Sequence, residues 1–134
     1  MNTLHRKRQL NTPEGILCTK THEWVLEENN EALIGLTDWQ AEQLGDIVFV
    51  ELPEAGSDIS KDEVFATIES VRAACELYMP VGGKIIEVNE KLINSPDLIN
   101  EDCYTNWLIK IKPHNFQEDS EGLMEYIDYI DDAG

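Results

Sequence analysis

The chain has 134 residues, 42% of them apolar, enough for one domain with a buried core and too many for a disordered segment. A net charge of −17 makes nucleic acid and anionic membranes poor partners, because their phosphates repel the surface, and no apolar run is long enough to cross a bilayer. Cys18, Cys75 and Cys103 are widely spaced and form no CxxC pair, so they predict free thiols in a reducing compartment rather than a zinc site or a disulfide framework.

Residues 1–17 read as a tail. They carry His5, Arg6, Lys7 and Arg8 with no apolar stretch behind them, and Pro13 and Gly15 break regular structure. A domain over 18–134 is expected to follow. Cys18 to Val25 predicts a strand, Asn29-Asn30 a turn, and Ala32 to Leu36 a half-buried strand with Ala32, Ile34 and Leu36 inward. Thr37-Asp38-Trp39-Gln40 predicts a short helix start: Thr37 accepts from the backbone three residues on and Gln40 reaches back. Trp39, Ala41 and Leu44 would face inward and Gly45 would end the helix. Asp46 to Leu52 is the strongest strand, with Phe49 and the three tryptophans expected in the core and Pro53 as its stop. After a turn at Glu54–Asp58, Val64–Val71 and Leu77–Val81 predict two arms of a hairpin, and Gly82-Gly83 turns the chain into a strand at Lys84–Val88.

Ser95-Pro96-Asp97 predicts a helix start with Ser95 as cap, and Trp107–Lys112 a strand that stops at Pro113. Leu123, Tyr126, Ile127 and Ile130 then recur at helical spacing, giving an amphipathic C-terminal helix whose acidic end opposes its dipole and frays. No Lys or Arg follows Lys112, while acids do, which reads as a solvated helix face. Gly56–Ile68 and Asn94–Ile111 form a weak internal repeat, each running from a turn through an acidic stretch into a β-rich segment. Many short strands at regular spacing, with short helices, predict a mainly β sandwich or flattened barrel.

At the hairpin apex stands Glu69-Ser70-Val71-Arg72-Ala73-Ala74-Cys75-Glu76. This stretch resembles the modification site of the glycine cleavage system H protein family, which reads Glu-Ser-Val-Lys-Ala-Ala-Ser-Asp. Two further stretches carry the resemblance. Cys18 to Trp24 is similar to the family's Tyr-Thr-Lys-x-His-Glu-Trp, and Leu44 to Pro53 matches Leu-Gly-Asp-Ile-Val-Phe-Val-Glu-Leu-Pro without change. The resemblance covers roughly 18–130. It implies a lipoyl/biotinyl-type barrel-sandwich hybrid with a C-terminal helix. It also implies a carrier rather than an enzyme, serving glycine decarboxylase, aminomethyl transferase and dihydrolipoyl dehydrogenase in the cytoplasm, or in the mitochondrial matrix of a eukaryote.

In that family the apex lysine holds lipoate through an amide, and a cleft shelters the loaded arm. By resemblance the cleft residues here are Thr21, Glu23 and Glu76, and the attachment context is Glu69, Ser70, Val71, Ala73 and Ala74 around Arg72. Arg72 departs from the pattern. Attachment needs an amine that can lose a proton, whereas guanidinium is delocalised, always charged and a poor nucleophile. Lipoate is therefore expected to be absent, and the chain to be a non-carrier that binds the family's enzymes or lipoate-attachment enzymes. Two alternatives stay open: an ordinary carrier whose lysine was replaced artificially, and an interaction module of an unrelated pathway on the same scaffold. Modification of Lys84 is a third, weaker reading, since Lys84 lacks the apex context.

Arg72 is expected to pair with Glu23, Glu69 or Glu76. Cys75 is read as a small residue in a tight hairpin, against a reading in which the neighbouring cation lowers its pKa and makes it reactive. His22 is read as structural or cleft-lining. No phosphate loop, triad or metal cluster is legible.

Overall fold

The computed structural model describes residues 12–133. The basic stretch of the expected tail, His5 to Arg8, lies outside them, and so does Gly134 at the end expected to fray. The ordered fold starts two residues inside that tail: Ile16 is buried and Leu17 already pairs in a sheet.

Local turn chemistry sets the first hairpins. Strand β1 (Leu17–Cys18) and β2 (Glu23–Glu28) were expected as one strand, but a turn separates them. The Thr19 hydroxyl accepts from the amides of Thr21 (3.2 Å) and Glu23 (3.1 Å), and His22 takes a positive φ of 79°. A threonine side chain thus competes with the ladder for backbone donors, and the chain reverses. Asn29 and Asn30, with φ of 53° and 65°, make the predicted turn into β3 (Glu31–Leu36), as asparagine tolerates the left-handed region.

Helix α1 (Asp38–Leu44) begins at Thr37, whose hydroxyl accepts from the Gln40 amide at 3.3 Å. The reciprocal half of the expected capping box is absent. The Thr37 amide donates instead to the His22 carbonyl at 3.1 Å, and the Gln40 side chain turns toward Cys75. Gly45, at φ 72°, ends the helix. Strand β4 (Ile47–Glu51) carries a bulge between Ile47 and Phe49. The extra residue rotates the strand, so Val48 and Phe49 are 56% and 46% exposed and Phe49 is not in the core as expected. Of the tryptophans only Trp24 is fully buried; Trp39 and Trp107 are packed against the core from its margin.

A short strand β5 (Asp58–Ile59) precedes the central hairpin, β6 (Val64–Ser70) and β7 (Ala74–Tyr78). The second arm begins three residues before the expected Leu77, because Glu69 pairs with Ala74 and the turn closes over Ser70–Ala73. Strand β8 (Gly83–Val88) leads into two single-turn helices, α2 (Lys91–Asn94) and α3 (Leu98–Glu101). Ser95 caps the C-terminus of α2 rather than opening a helix, and Asp97 stands at the N-cap of α3. Strand β9 (Ile109–Pro113), helix α4 (Phe116–Asp119), strand β10 (Met124–Glu125) and helix α5 (Tyr126–Ala133) complete the chain.

The strands form two antiparallel sheets, ordered β10-β1-β2-β3-β9-β8-β5 and β4-β6-β7. The core lies between them. Trp24, Ile34, Leu36, Ile68, Leu77, Ile85 and Leu108 are almost without exposure. The suspected repeat has no counterpart in this arrangement. Gly56–Ile68 supplies strands to both sheets, whereas Asn94–Ile111 supplies α3 and β9.

Helix α5 buries Tyr126 and Ile130 of the predicted stripe, but Tyr129 takes the place of Ile127 and two phenols anchor the helix. The Tyr126 hydroxyl donates to the Asp38 carboxylate (2.9 and 3.1 Å). The Tyr129 hydroxyl lies 2.7 Å from the Thr37 hydroxyl and 2.8 Å from His22 Nδ1. These bonds turn Tyr129 inward at 1% exposure and leave Ile127 47% exposed. They also bury the start of α1, where Asp38 meets the positive end of the helix dipole.

One glycine is required by this packing. A Cβ on Gly35 would lie 2.7 Å from Trp24 ring atoms, and the ring is held on its other side by Tyr104 at 5.5 Å. Gly35→Ala is expected to destabilise the fold by about 2 kcal/mol or more through overpacking, read as a lower denaturant midpoint with an unchanged slope.

Candidate functional site

The hairpin apex is built by one hydroxyl. Ser70 Oγ accepts from the amides of Arg72 and Ala73, both at 3.1 Å, and donates to the Ala73 carbonyl. The Val71 amide donates to the Asp46 carbonyl at 3.0 Å, which ties the turn to the chain entering β4. Val71, Arg72, Ala73 and Ala74 are all exposed, so the apex stands proud of the sheet as the motif implies.

Arg72 does not meet the carboxylates expected for it. Its Nη1 donates to the carbonyls of Glu42 (3.2 Å) and Gln43 (3.0 Å), and the guanidinium lies over Gly45, about 3.3 Å from where a Cβ would stand. These carbonyls belong to the last turn of α1, which has no intrahelical donors for them and carries the negative end of the dipole. Asn100 completes the accounting: its Nδ2 donates to the Gly45 carbonyl at 2.8 Å, while its Oδ1 accepts from the Ile47 amide at 2.9 Å. A cation beside the helix C-terminus is worth about 0.3–1 kcal/mol. That favours the fork's position there over a solvated carboxylate that must also be held in place. The glycine stop at Gly45 marked a helix C-terminus in the sequence, but not that this end would lie beside position 72.

The three residues assigned to the cleft separate. Thr21 and Glu23 come together. Glu23 is fully buried, and its Oε1 accepts from the hydroxyls of Thr19 and Thr21, both at 2.5 Å. Its Oε2 accepts from the Tyr78 amide at 3.0 Å. Burial raises the carboxyl's pKa, and these hydrogen bonds only partly offset the rise. Glu23 thus sits at the back of a surface hollow of about 260 Å3, among Thr21, Lys61, Tyr78 and Glu121, where it staples the β1–β2 turn to the end of β7. Glu76 points elsewhere: it pairs with Thr67 and is exposed on the outer face of the small sheet.

Cys75 faces the interior of the hairpin, half-buried, with Gln40 Nε2 3.7 Å from its sulfur. Burial pushes its pKa up, Gln40 opposes this, and the charges of Glu23 and Glu76 add to the rise. This is the opposite of a thiol activated by a neighbouring cation, and the reason is that Arg72 has turned away to α1. Cys18 is pushed up to about 12 by burial and Cys103 is also raised, both being enclosed in the core. Thiol titration of the native protein is expected to label Cys75 alone, and slowly, with a rate that keeps rising past the ordinary thiol pKa of about 8.5.

His22 stacks on Trp39 at 4.7 Å between ring centroids and bonds Tyr129, and burial lowers its pKa. It is structural and joins α1 to α5. Its role at this junction was not legible, because Tyr129 lies 107 positions away. Among the described residues no group of His, Cys, Asp and Glu side chains could hold a metal ion, and no helix is long and apolar enough to cross a membrane.

Lipoate is the group this apex would hold. The residues present do not fit a covalently attached lipoyl group: the outermost side chain carries a guanidinium that is already engaged by two carbonyls, where an amide requires a free amine.

Comparison with known proteins places these features. The family described as "Glycine cleavage H-protein" matches residues 16–132. The chain is 48% identical over 122 residues to the glycine cleavage system H protein of Alkaliphilus oremlandii, covering 91% of this chain and 95% of that protein. It is 48% identical over 119 residues to the probable glycine cleavage system H protein of Pyrococcus abyssi, covering 88% and 89% respectively. The crystal structure of a glycine cleavage system H protein from Mycobacterium marinum superposes with a TM-score of 0.81 at 30% identity, covering 90% of this chain and 98% of that one. With a sandwich of two antiparallel sheets, a C-terminal helix and a match across nearly its whole length, the chain belongs to the glycine cleavage H-protein family, whose members are lipoyl carriers rather than catalysts.

Proposed function

We propose that this chain is a non-carrier member of the H-protein family. It keeps the family's scaffold and acts by binding, without lipoate, the enzymes that lipoylated members visit: glycine decarboxylase, aminomethyl transferase, dihydrolipoyl dehydrogenase or the lipoate-attachment enzymes. Its place of action would be the cytoplasm, or the mitochondrial matrix if the host is a eukaryote. One observation carries the reading. Arg72 stands at the position that matches the family's attachment lysine, with its guanidinium docked on the C-terminus of α1. Such a group cannot lose a proton near neutral pH and so cannot form the amide. Arginine keeps the positive charge beside the helix dipole, which supports a substitution that preserves the hairpin while removing the carrier chemistry.

The test is the intact mass of the protein purified from its own host, followed by an assay of aminomethyl transfer with the host's glycine decarboxylase and aminomethyl transferase. The expected results are an unmodified mass and no transfer, with measurable binding to at least one of those enzymes. A lipoyl adduct, with peptide mapping placing it on Lys84 or any other lysine, would overturn the reading.

A further inference from the structure

The small sheet presents a face that none of the other described elements pairs with or buries. Residues opposite one another in an antiparallel pair share a face. Phe49 stands opposite Glu69, and Glu69 opposite Ala74; one step along, Glu51 stands opposite Thr67, and Thr67 opposite Glu76. At the far end Val64 pairs with Tyr78. Apart from the partly buried Thr67 and Tyr78, these residues are exposed, while Val50, Ile68 and Leu77 point the other way into the core.

The composition of this face is one-sided. None of β4, β6 or β7 contains a Lys or Arg, and Glu51, Glu69 and Glu76 supply three carboxylates. Among the described residues, the apex cation Arg72 has its fork on the α1 carbonyls rather than on these carboxylates. Large apolar groups stand in water beside them: Phe49, at 46% exposure, flanks Glu69 on the neighbouring strand, Val48 at 56% precedes Phe49, and Val64 at 43% lies at the far end. Apolar groups of this size interleaved with charge of one sign mark an association surface, and that sign selects the partner.

We propose that the outer face of β4-β6-β7 is a docking surface for a protein that presents lysines or arginines among apolar side chains. The exposed apolar groups call for carbon atoms on the partner, which a small inorganic cation lacks. The carboxylates repel phosphate-bearing surfaces and also a second copy of this chain, whose net charge is −17. The proposal rests on the reading of the chain as a binding module and names the face through which it binds.

The experiment follows backbone amide shifts of the full chain titrated with a synthetic peptide of alternating lysine and leucine. Shifts are expected on β4, β6 and β7. Replacing the three carboxylates together (Glu51→Gln, Glu69→Gln, Glu76→Gln) is expected to weaken the peptide by about tenfold. Removing the same charge from α5 (Asp128→Asn, Asp131→Asn, Asp132→Asn) is expected to change affinity by less than about threefold. Phe49→Ala, which alters no charge, is expected to cost about tenfold as well. Shifts centred on α5, equal losses in the two charge variants, or no effect of Phe49→Ala would overturn the proposal. A dimer in sedimentation that Phe49→Ala abolishes would also overturn it, by making a second copy the occupant. The peptide decides the face by itself, so failure of the glycine-cleavage enzymes to bind would remove the proposed function and leave this result standing.

Discussion

Arg72→Lys is expected to convert a chain that takes no lipoyl group into one that takes a single group. The hairpin around position 72 keeps Glu69, Ser70, Val71, Ala73 and Ala74, and Ser70 holds the turn through three backbone contacts that do not involve the side chain at 72. The substitution therefore changes the chemistry at the tip and little else. Lysine brings an amine with a pKa of about 10.4 whose minor neutral fraction is nucleophilic, where the guanidinium is delocalised and a poor nucleophile. It also gives up the fork over Gly45, so the loss of stability should stay within about 1 kcal/mol. The measurement is intact mass after incubation with a lipoate-attachment enzyme and its substrates, run beside the unaltered chain and Arg72→Gln. One added lipoyl group on Arg72→Lys alone is the expected result. A folded Arg72→Lys that stays unmodified would show that the apex is no longer read, and that Arg72 is not what separates this chain from carriers.

The second large effect is expected at Glu23. Glu23→Ala leaves the Tyr78 amide without its acceptor and opens a small void at a position with no exposure. The Thr19 and Thr21 hydroxyls, 3.1 Å apart, can turn to each other, so the amide carries most of the cost. A loss of about 2–4 kcal/mol follows from an orphaned buried donor plus the missing side-chain volume. Glu23→Gln behaves differently. Its carbonyl oxygen can accept from Tyr78 while its amide group donates to the Thr21 oxygen, and it carries no charge to desolvate; only the Thr19 hydroxyl, whose oxygen already accepts from two amides, gives up its bond to this side chain.

The pH dependence separates these effects. The folded-state pKa of Glu23 is raised above its usual 4.5, mainly by burial. Between that raised value and 4.5 the folded state binds more protons than the unfolded one, so this group's contribution improves as pH falls through the window. Relative to the unaltered chain, Glu23→Gln, which does not titrate there, should stand best at pH 7 and lose ground as pH approaches 4.5. Chemical denaturation at several pH values reads this directly. A Glu23→Gln variant as unstable as Glu23→Ala at pH 7 would mean that the carboxylate's charge is itself required by its surroundings.

The two substitutions also divide the residues assigned by resemblance. Position 72 controls what the apex can carry, whereas Glu23 is committed to Thr19, Thr21 and Tyr78 and holds the β1–β2 turn against β7. Glu76, on the opposite face of the hairpin from the interior, belongs with the exposed acids of the small sheet.

Much of the fold was legible because its signals are local. Asn29-Asn30, the Thr37 cap, Gly45 and the alternation at Ala32, Ile34 and Leu36 each act within a few residues, and each stands where the sequence placed it. The family was legible for a similar reason, since three continuous motifs carry it. What the sequence could not determine came from contacts between distant segments. Tyr129 replaces Ile127 on the buried side of α5 because Thr37 and His22 bond its hydroxyl. Phe49 leaves the core because a bulge against β6 breaks the period of β4. Arg72 turns from the glutamates expected for it to two carbonyls some 30 residues earlier, because folding brings beside it a helix end whose carbonyls and dipole favour a cation. Sequence spacing counts residues, but a hydrogen bond forms only where folding brings a donor to an unfilled acceptor. For that reason the residue types at the apex could be read from the chain, and the direction its one cation points was decided by the tertiary structure.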